Sequence, residues 1–219
     1  NGNESNSSGI KALDILKVNP NYNGQETIDK DYRYSGNDNI TKNYQNLNSG
    51  ATNITTDKGN DTLEFQSLDS KNINSGAGND TVIVNQGASS SNIQLGEGNN
   101  SYTVAGSLNS GTTQSGAGND TLIVNQGASN TVINLGDGNN KISIGEALNN
   151  SNISTGNGND TLIVGQASDN NIISTGGGND FVQLNHNVQG TKIDLGTGND
   201  GIRLSNEGHV NFNTETLID

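Results

Sequence analysis

The sequence predicts an all-β chain wound as a parallel β-solenoid, with coils of about 20 residues and one glycine-rich edge. Three observations lead there. The stretch SGAGNDTVIV at 75–84 returns as SGAGNDTLIV at 115–124, TGNGNDTLIV at 155–164 and LGTGNDGIRL at 195–204. Aligned on one corner glycine, Gly76, Gly96, Gly116, Gly136, Gly156, Gly176 and Gly196 stand 20 residues apart without exception. After each corner the residues alternate with period two, the signature of a strand with one buried face. Only 28% of the residues are hydrophobic, too few for a thick globular core but enough for a thin one built by stacking.

Taken in chain order, residues 1–34 do not fit the repeat. NGNESNSSG reads as a flexible tail, and IKALDILKV at 10–18, with Ile10, Leu13, Leu16 and Val18, reads as a short helix or strand capping the first coil. Residues 35–74 hold irregular first coils, with the loose corners SGNDNI at 35–40 and KGNDTLEF at 58–65. Residues 75–219 form the regular array. Its inward columns are Val82, Tyr102, Leu122, Ile142, Leu162, Val182 and Ile202, and Val84, Val104, Val124, Ile144, Val164, Leu184 and Leu204. A second short strand is marked by Ile73, Ile93, Thr113, Ile133, Ile153, Ile173 and Ile193. Between the two lies a polar loop such as NQGASSSN, in which Ala88, Leu108, Ala128, Leu148 or Val188 plugs the turn, so one coil reads strand, loop, strand, glycine corner. HVNFNTETLID at the end reads as a further coil that stops, as expected of a piece cut from a longer array.

The charge of −13, from 10 basic and 23 acidic residues, points away from nucleic acid and anionic membranes and toward a cation. No apolar run is long enough to span a bilayer, so membrane insertion is not expected. With no Cys, neither disulfides nor thiolate metal sites are available.

Each corner reads glycine, variable residue, glycine, Asn, then Asp or Asn. The glycines Gly76 and Gly78, Gly96 and Gly98, Gly116 and Gly118, Gly136 and Gly138, Gly156 and Gly158, Gly176 and Gly178, and Gly196 and Gly198 allow positive φ and close backbone approach, which turns carbonyls toward a common point. Carbonyls with a recurring carboxylate form a column of hard oxygen ligands, which suits calcium. A turn-forming role alone does not explain why stacked carboxylates about 5 Å apart are tolerated.

These corners resemble the calcium-binding nonapeptide G-G-x-G-x-D-x-U-x of the RTX (repeats-in-toxin) family over residues 56–204. Carried over by position, the resemblance implicates Asp38, Asp61, Asp80, Asp120, Asp160, Asp180 and Asp200, with Asn100 and Asn140 in the same column. Two departures stand out. The family's first glycine is replaced by Ser75, Leu95, Ser115, Leu135, Thr155, Thr175 and Leu195, and there is one corner per coil where familiar RTX rolls have two. The arrangement is similar to the one-sided repeat of a large bacterial RTX adhesin, and it implies one row of roughly six to eight Ca²⁺ ions. Asn100 and Asn140 are expected to offer an uncharged carbonyl oxygen. Their corners carry an acidic variable residue, Glu97 or Asp137, so one negative charge per coil is kept but moved outward.

The resemblance implies a non-enzymatic, calcium-dependent structural module of a bacterial surface-layer protein or adhesin, exported by type I secretion and folding on calcium outside the cell. Partners beyond calcium would be further copies of the chain or cell-surface components. Alternatives are the calcium-binding portion of a secreted toxin or enzyme, and an ice- or carbohydrate-binding solenoid. The Asn column from Asn79 to Asn199 is expected to form a side-chain ladder. Only Thr197 stands where an ice-binding Thr column would need one, and no aromatic cluster suits a sugar. Ile83, Ile123 and Ile163 point outward on alternate coils as a candidate lateral contact, though scattered surface aliphatics are common. His186 and His209 read as surface residues.

Overall fold

The computed structural model of the chain describes residues 3–6, 27–28, 32–35, 40–44, 46–47, 53–205 and 217–218. Every regular element among them is a strand. Alternating Val, Ile, Leu and Thr with no proline favour extended backbone, and the glycine corner ends each run by forcing the chain round. The strands stack into a parallel solenoid with three faces, formed by sheets of nine, seven and eleven strands. In one coil these are Thr81–Val84, Ala88–Ser89 and Asn92–Gln94. The glycine corner at 95–100 then leads to Ser101–Val104 of the next coil.

Stacking is in register. Val82 faces Tyr102, which faces Leu122, and Ile93 faces Thr113, which faces Ile133. Register is fixed because a one-residue slip would turn both inward columns out to solvent. The same three faces run from the coil at 56–74 through to the one at 175–194. At one end Asn3–Asn6 adds antiparallel to Tyr32–Ser35 in the eleven-stranded sheet.

The core is one continuous apolar thread. It contains Leu63, Val82, Tyr102, Leu122, Ile142, Leu162 and Val182, the second column Phe65 to Leu184, and the Ile column Ile54 to Ile193. Burying each such side chain contributes about 1.5–3 kcal/mol, and no coil could bury its own without a neighbour. Ile202 and Leu204 pack against the end of the thread, partly buried.

Two features differ from the sequence reading. The polar loop between strands is itself structured: Leu68, Ala88, Leu108, Ala128, Leu148, Ser168 and Val188 are buried members of the seven-stranded sheet. Behind it lies a corner made by single left-handed residues, Ser70, Ser90, Ser110, Asn130, Asn150 and Asn170 at φ 49–55°, with Gly190 in the last described coil. Each coil therefore has three strands. Ile83, Ile123 and Ile163 are half-buried, because parallel neighbours cover them on both sides, whereas Val132 (44%) and Ile172 (54%) are the more exposed aliphatics.

The core holds two hydroxyls that have no hydrogen-bond partner, on Tyr102 and Thr113. An unmet buried donor costs about 1–3 kcal/mol. Tyr102→Phe and Thr113→Val should each raise the unfolding free energy by about 1 kcal/mol in urea titrations, Thr113→Val by completing the Ile column with an apolar residue of similar shape.

Candidate functional site

The corner glycines are required by stacking. Gly98 has φ +116°, and a Cβ there would lie 2.1 Å from Gly78 O of the preceding coil, deep inside contact distance. Gly78 stands in the same relation to Gly59, at 1.7 Å, and Gly118, Gly138, Gly158, Gly178 and Gly198 continue the column. The variable position lies clear of this contact, and alanine occupies it at Ala77 and Ala117.

Past the glycines, two adjacent columns point opposite ways. The Asn column is exposed: Asn60 Oδ1 accepts the N–H of Asn79 at 2.7 Å, Asn79 Oδ1 that of Asn99 at 2.8 Å, and so on to Asn199. It is a ladder from side chain to backbone rather than between stacked amides. The next residue turns inward, and its ladder runs the other way. Asp80 Oδ1 accepts the N–H of Asp61 at 2.8 Å, Asn100 Oδ1 that of Asp80 at 2.9 Å, and Asp120 Oδ1 that of Asn100 at 2.8 Å. Asn140, Asp160, Asp180 and Asp200 extend it. Asp61, Asp80, Asn100, Asp120, Asn140, Asp160 and Asp180 are at most 2% exposed, and Asp200 is half-buried. Asp38 and His209 lie outside the described residues. His186 is exposed, in a turn.

Each inward side chain therefore has one oxygen satisfied and one atom left over. In Asp61, Asp80, Asp120, Asp160 and Asp180 the leftover Oδ2 is buried with no hydrogen-bond partner. In the two Asn residues it is Nδ2, which is fully used. Asn100 Nδ2 donates to Gly96 O at 3.2 Å, Gly98 O at 3.0 Å and Ser115 Oγ at 3.2 Å. Asn140 Nδ2 donates to Gly136 O at 2.8 Å and Gly138 O at 3.2 Å. Because Oδ1 of each Asn already accepts a backbone N–H, the donor end must face these carbonyls. At Asn100 and Asn140 it is the amide nitrogen, and not the carbonyl oxygen, that takes this direction.

A hydroxyl flanks the carboxylates. Thr56, Ser75, Ser115 and Thr155 stand beside Asp61, Asp80, Asp120 and Asp160, five residues before each. Their protons go elsewhere: Thr56 Oγ1 donates to Ser75 O at 2.7 Å, Ser75 Oγ to Leu95 O at 3.0 Å and Thr155 Oγ1 to Thr175 O at 3.0 Å. In the Asn corners the same position is the buried apolar Leu95 or Leu135. The missing first glycine of the sequence motif is thus an inward-facing position, hydroxylic or apolar according to the Asx residue it serves.

Glu97 and Asp137 reach over the next coil, where Glu97 Oε2 accepts the N–H of Ala117 at 2.9 Å and Asp137 Oδ1 that of Asn157 at 2.7 Å. Gly116 and Gly156, in the corners stacked on them, are the two first-position glycines of the regular array that lie outside the left-handed region.

Among the described residues no three acidic or histidine side chains converge. Any cation at these corners would be held by one carboxylate oxygen, glycine carbonyls and a hydroxyl, all hard oxygen donors of the kind calcium takes, with water completing the shell. The buried, unpartnered Oδ2 atoms fit such a group.

Comparison of the chain with protein-family models, with curated proteins and with solved structures returned no match.

Burial pushes Asp80 up to about 6 and raises Asp61, Asp120 and Asp160 above their ordinary value, against the lowering effect of their backbone hydrogen bonds and, less strongly, of the Ser or Thr hydroxyl beside each. Without metal, the folded chain then binds more protons than the unfolded chain between the unfolded carboxylate value and about pH 6. Stability is greatest below that window and falls as pH rises through it. In EDTA the thermal midpoint should be higher near pH 4.5 than near pH 7.5, by differential scanning calorimetry, and saturating calcium should flatten the dependence.

Proposed function

We propose that the chain is a calcium-dependent structural module, non-enzymatic and extracellular, of the kind found in bacterial surface-layer proteins and RTX adhesins. One observation carries the reading: five buried carboxylates each keep an unpartnered oxygen, with a Ser or Thr hydroxyl beside those of Asp61, Asp80, Asp120 and Asp160. A buried carboxylate is tolerated where it is neutralised, and bound calcium does so without a basic side chain. The charge of −13 supports the same reading, because ions bound along one edge would offset the repulsion that a metal-free acidic chain experiences. Coupling of metal to folding would leave the folded chain least stable where calcium is scarce and most stable where calcium is abundant.

The RTX resemblance supports the assignment to this class, and with it secretion as the route and the cell surface as the destination. An open groove of 620 Å³ on the far corner, lined by residues such as Ser67, Asp69, Gln86, Ser107 and Gln126, has no aromatic or basic side chain in its wall, which favours a structural role over sugar recognition.

Circular dichroism and light scattering, followed from EDTA to about 10 mM CaCl₂ with MgCl₂ as control, test the proposal. A cooperative gain of β structure or a rise in thermal midpoint with calcium alone is the expected result. Growth in particle size would favour a surface layer, and a monomeric rod an adhesin. A chain already β-structured in EDTA and indifferent to calcium would overturn it.

A further inference from the structure

We infer that the inner column contains two kinds of corner, and that calcium is taken up at the Asp corners while the Asn100 and Asn140 corners are closed by their own amides and take none. The inference rests on the calcium reading and specifies where along the edge it applies.

The argument is one of atom-for-atom replacement. Asp and Asn side chains in this column are anchored identically, each Oδ1 accepting the N–H of the same position one coil earlier. Their second atoms therefore occupy equivalent places. At Asn100 and Asn140 that place holds an N–H₂ group whose hydrogens are spent on the two corner glycine carbonyls. A cation there would meet donor hydrogens and lose the very carbonyls it needs. At Asp61, Asp80, Asp120, Asp160 and Asp180 the same place holds an acceptor with nothing to accept from.

Two further positions change with the Asx residue. Where a described corner has a buried Asp, the residue five before it is Thr56, Ser75, Ser115, Thr155 or Thr175, a further oxygen. Where it has Asn, that residue is Leu95 or Leu135, which offers no ligand. The variable residue of the Asn corners is Glu97 or Asp137, and its carboxylate is committed to a backbone N–H of the next coil. Hydroxyl, carboxylate and a variable residue that is not acidic go together, as do Leu, amide and acid. Leu195 with Asp200 departs from this pairing at the end of the array, where Asp200 is only half-buried.

The Asn corners thus separate Asp120 from carboxylates on either side and leave Asp61 next to Asp80 toward one end and Asp160, Asp180 and Asp200 in succession toward the other. Among the described residues, ion uptake would follow the corners with a buried, unpartnered oxygen, at Asp61, Asp80, Asp120, Asp160 and Asp180, and not one per coil.

The decisive experiment exchanges corners using sequences the chain already contains. The triple substitution Leu95→Ser, Glu97→Ala and Asn100→Asp turns LGEGNN at 95–100 into SGAGND, as at 75–80; the reverse triple at Ser115, Ala117 and Asp120 makes an Asn corner of 115–120. Bound calcium is counted by equilibrium dialysis and elemental analysis of the full chain, with circular dichroism confirming that each variant is folded in calcium. The expected result is one ion more for the first variant and one fewer for the second, relative to wild type. Unchanged counts in both, with a wild type that binds calcium, would overturn this inference alone. A wild type that binds none would overturn the calcium reading and this inference with it.

Discussion

The structure depends on a backbone amide meeting a side-chain oxygen one coil away. At the inner turn of each corner, a backbone N–H is held by Oδ1 of the Asx residue one coil on, from Ile40 and Asp61 to Asp180 and Asp200. A tight corner cannot continue the ladder of the sheet at that point, and an unmet N–H in the interior is costly, so the side chain stands in for the missing strand partner. At this corner Asp and Asn supply the length and the acceptor needed. That requirement creates the chemistry, because anchoring one oxygen inward carries the second atom of the group into the interior too.

What fills the place of that second atom then sorts the coils. An amide is satisfied by the glycine carbonyls beside it. A carboxylate is not, and burial raises its proton affinity, as at Asp61, Asp80, Asp120 and Asp160. The Ser or Thr hydroxyl beside it offsets only part of this, its proton being directed to a carbonyl of the next coil at Thr56, Ser75 and Thr155. A proton or a cation is what remains, and the two have opposite signatures in pH and calcium.

Much of this was legible from residues alone. The period of 20, the inward columns and the glycine corner follow from alternation and spacing, and the in-register pairing of Val82, Tyr102 and Leu122 is what such spacing demands. The third strand was not legible, since two residues such as Ala88–Ser89 are too short to show a period. Nor was the left-handed corner at Ser70, Ser90 and Ser110, because serine carries no strong preference for positive φ; the Asn and Gly at 130, 150, 170 and 190 were the available sign. Which end of Asn100 faces the glycine carbonyls was not legible either, because donor and acceptor ends of an amide are distinguished only by what surrounds them. The companion alternation of Ser or Thr with Asp, and Leu with Asn, was present in the sequence and acquires meaning once position 75 is seen to face inward.

The central claim is that the unpartnered carboxylate oxygens are met by a cation. Crystals grown with calcium and measured at long wavelength give the direct test, since anomalous difference density locates calcium atom by atom. The account predicts peaks within about 2.3–2.6 Å of Oδ2 of Asp61, Asp80, Asp120, Asp160 and Asp180, and none at Asn100 or Asn140. A map without peaks along this edge, with each Oδ2 drawn to hydrogen-bond distance of a glycine carbonyl, would mean that the carboxylates are held as neutral acids and would contradict it.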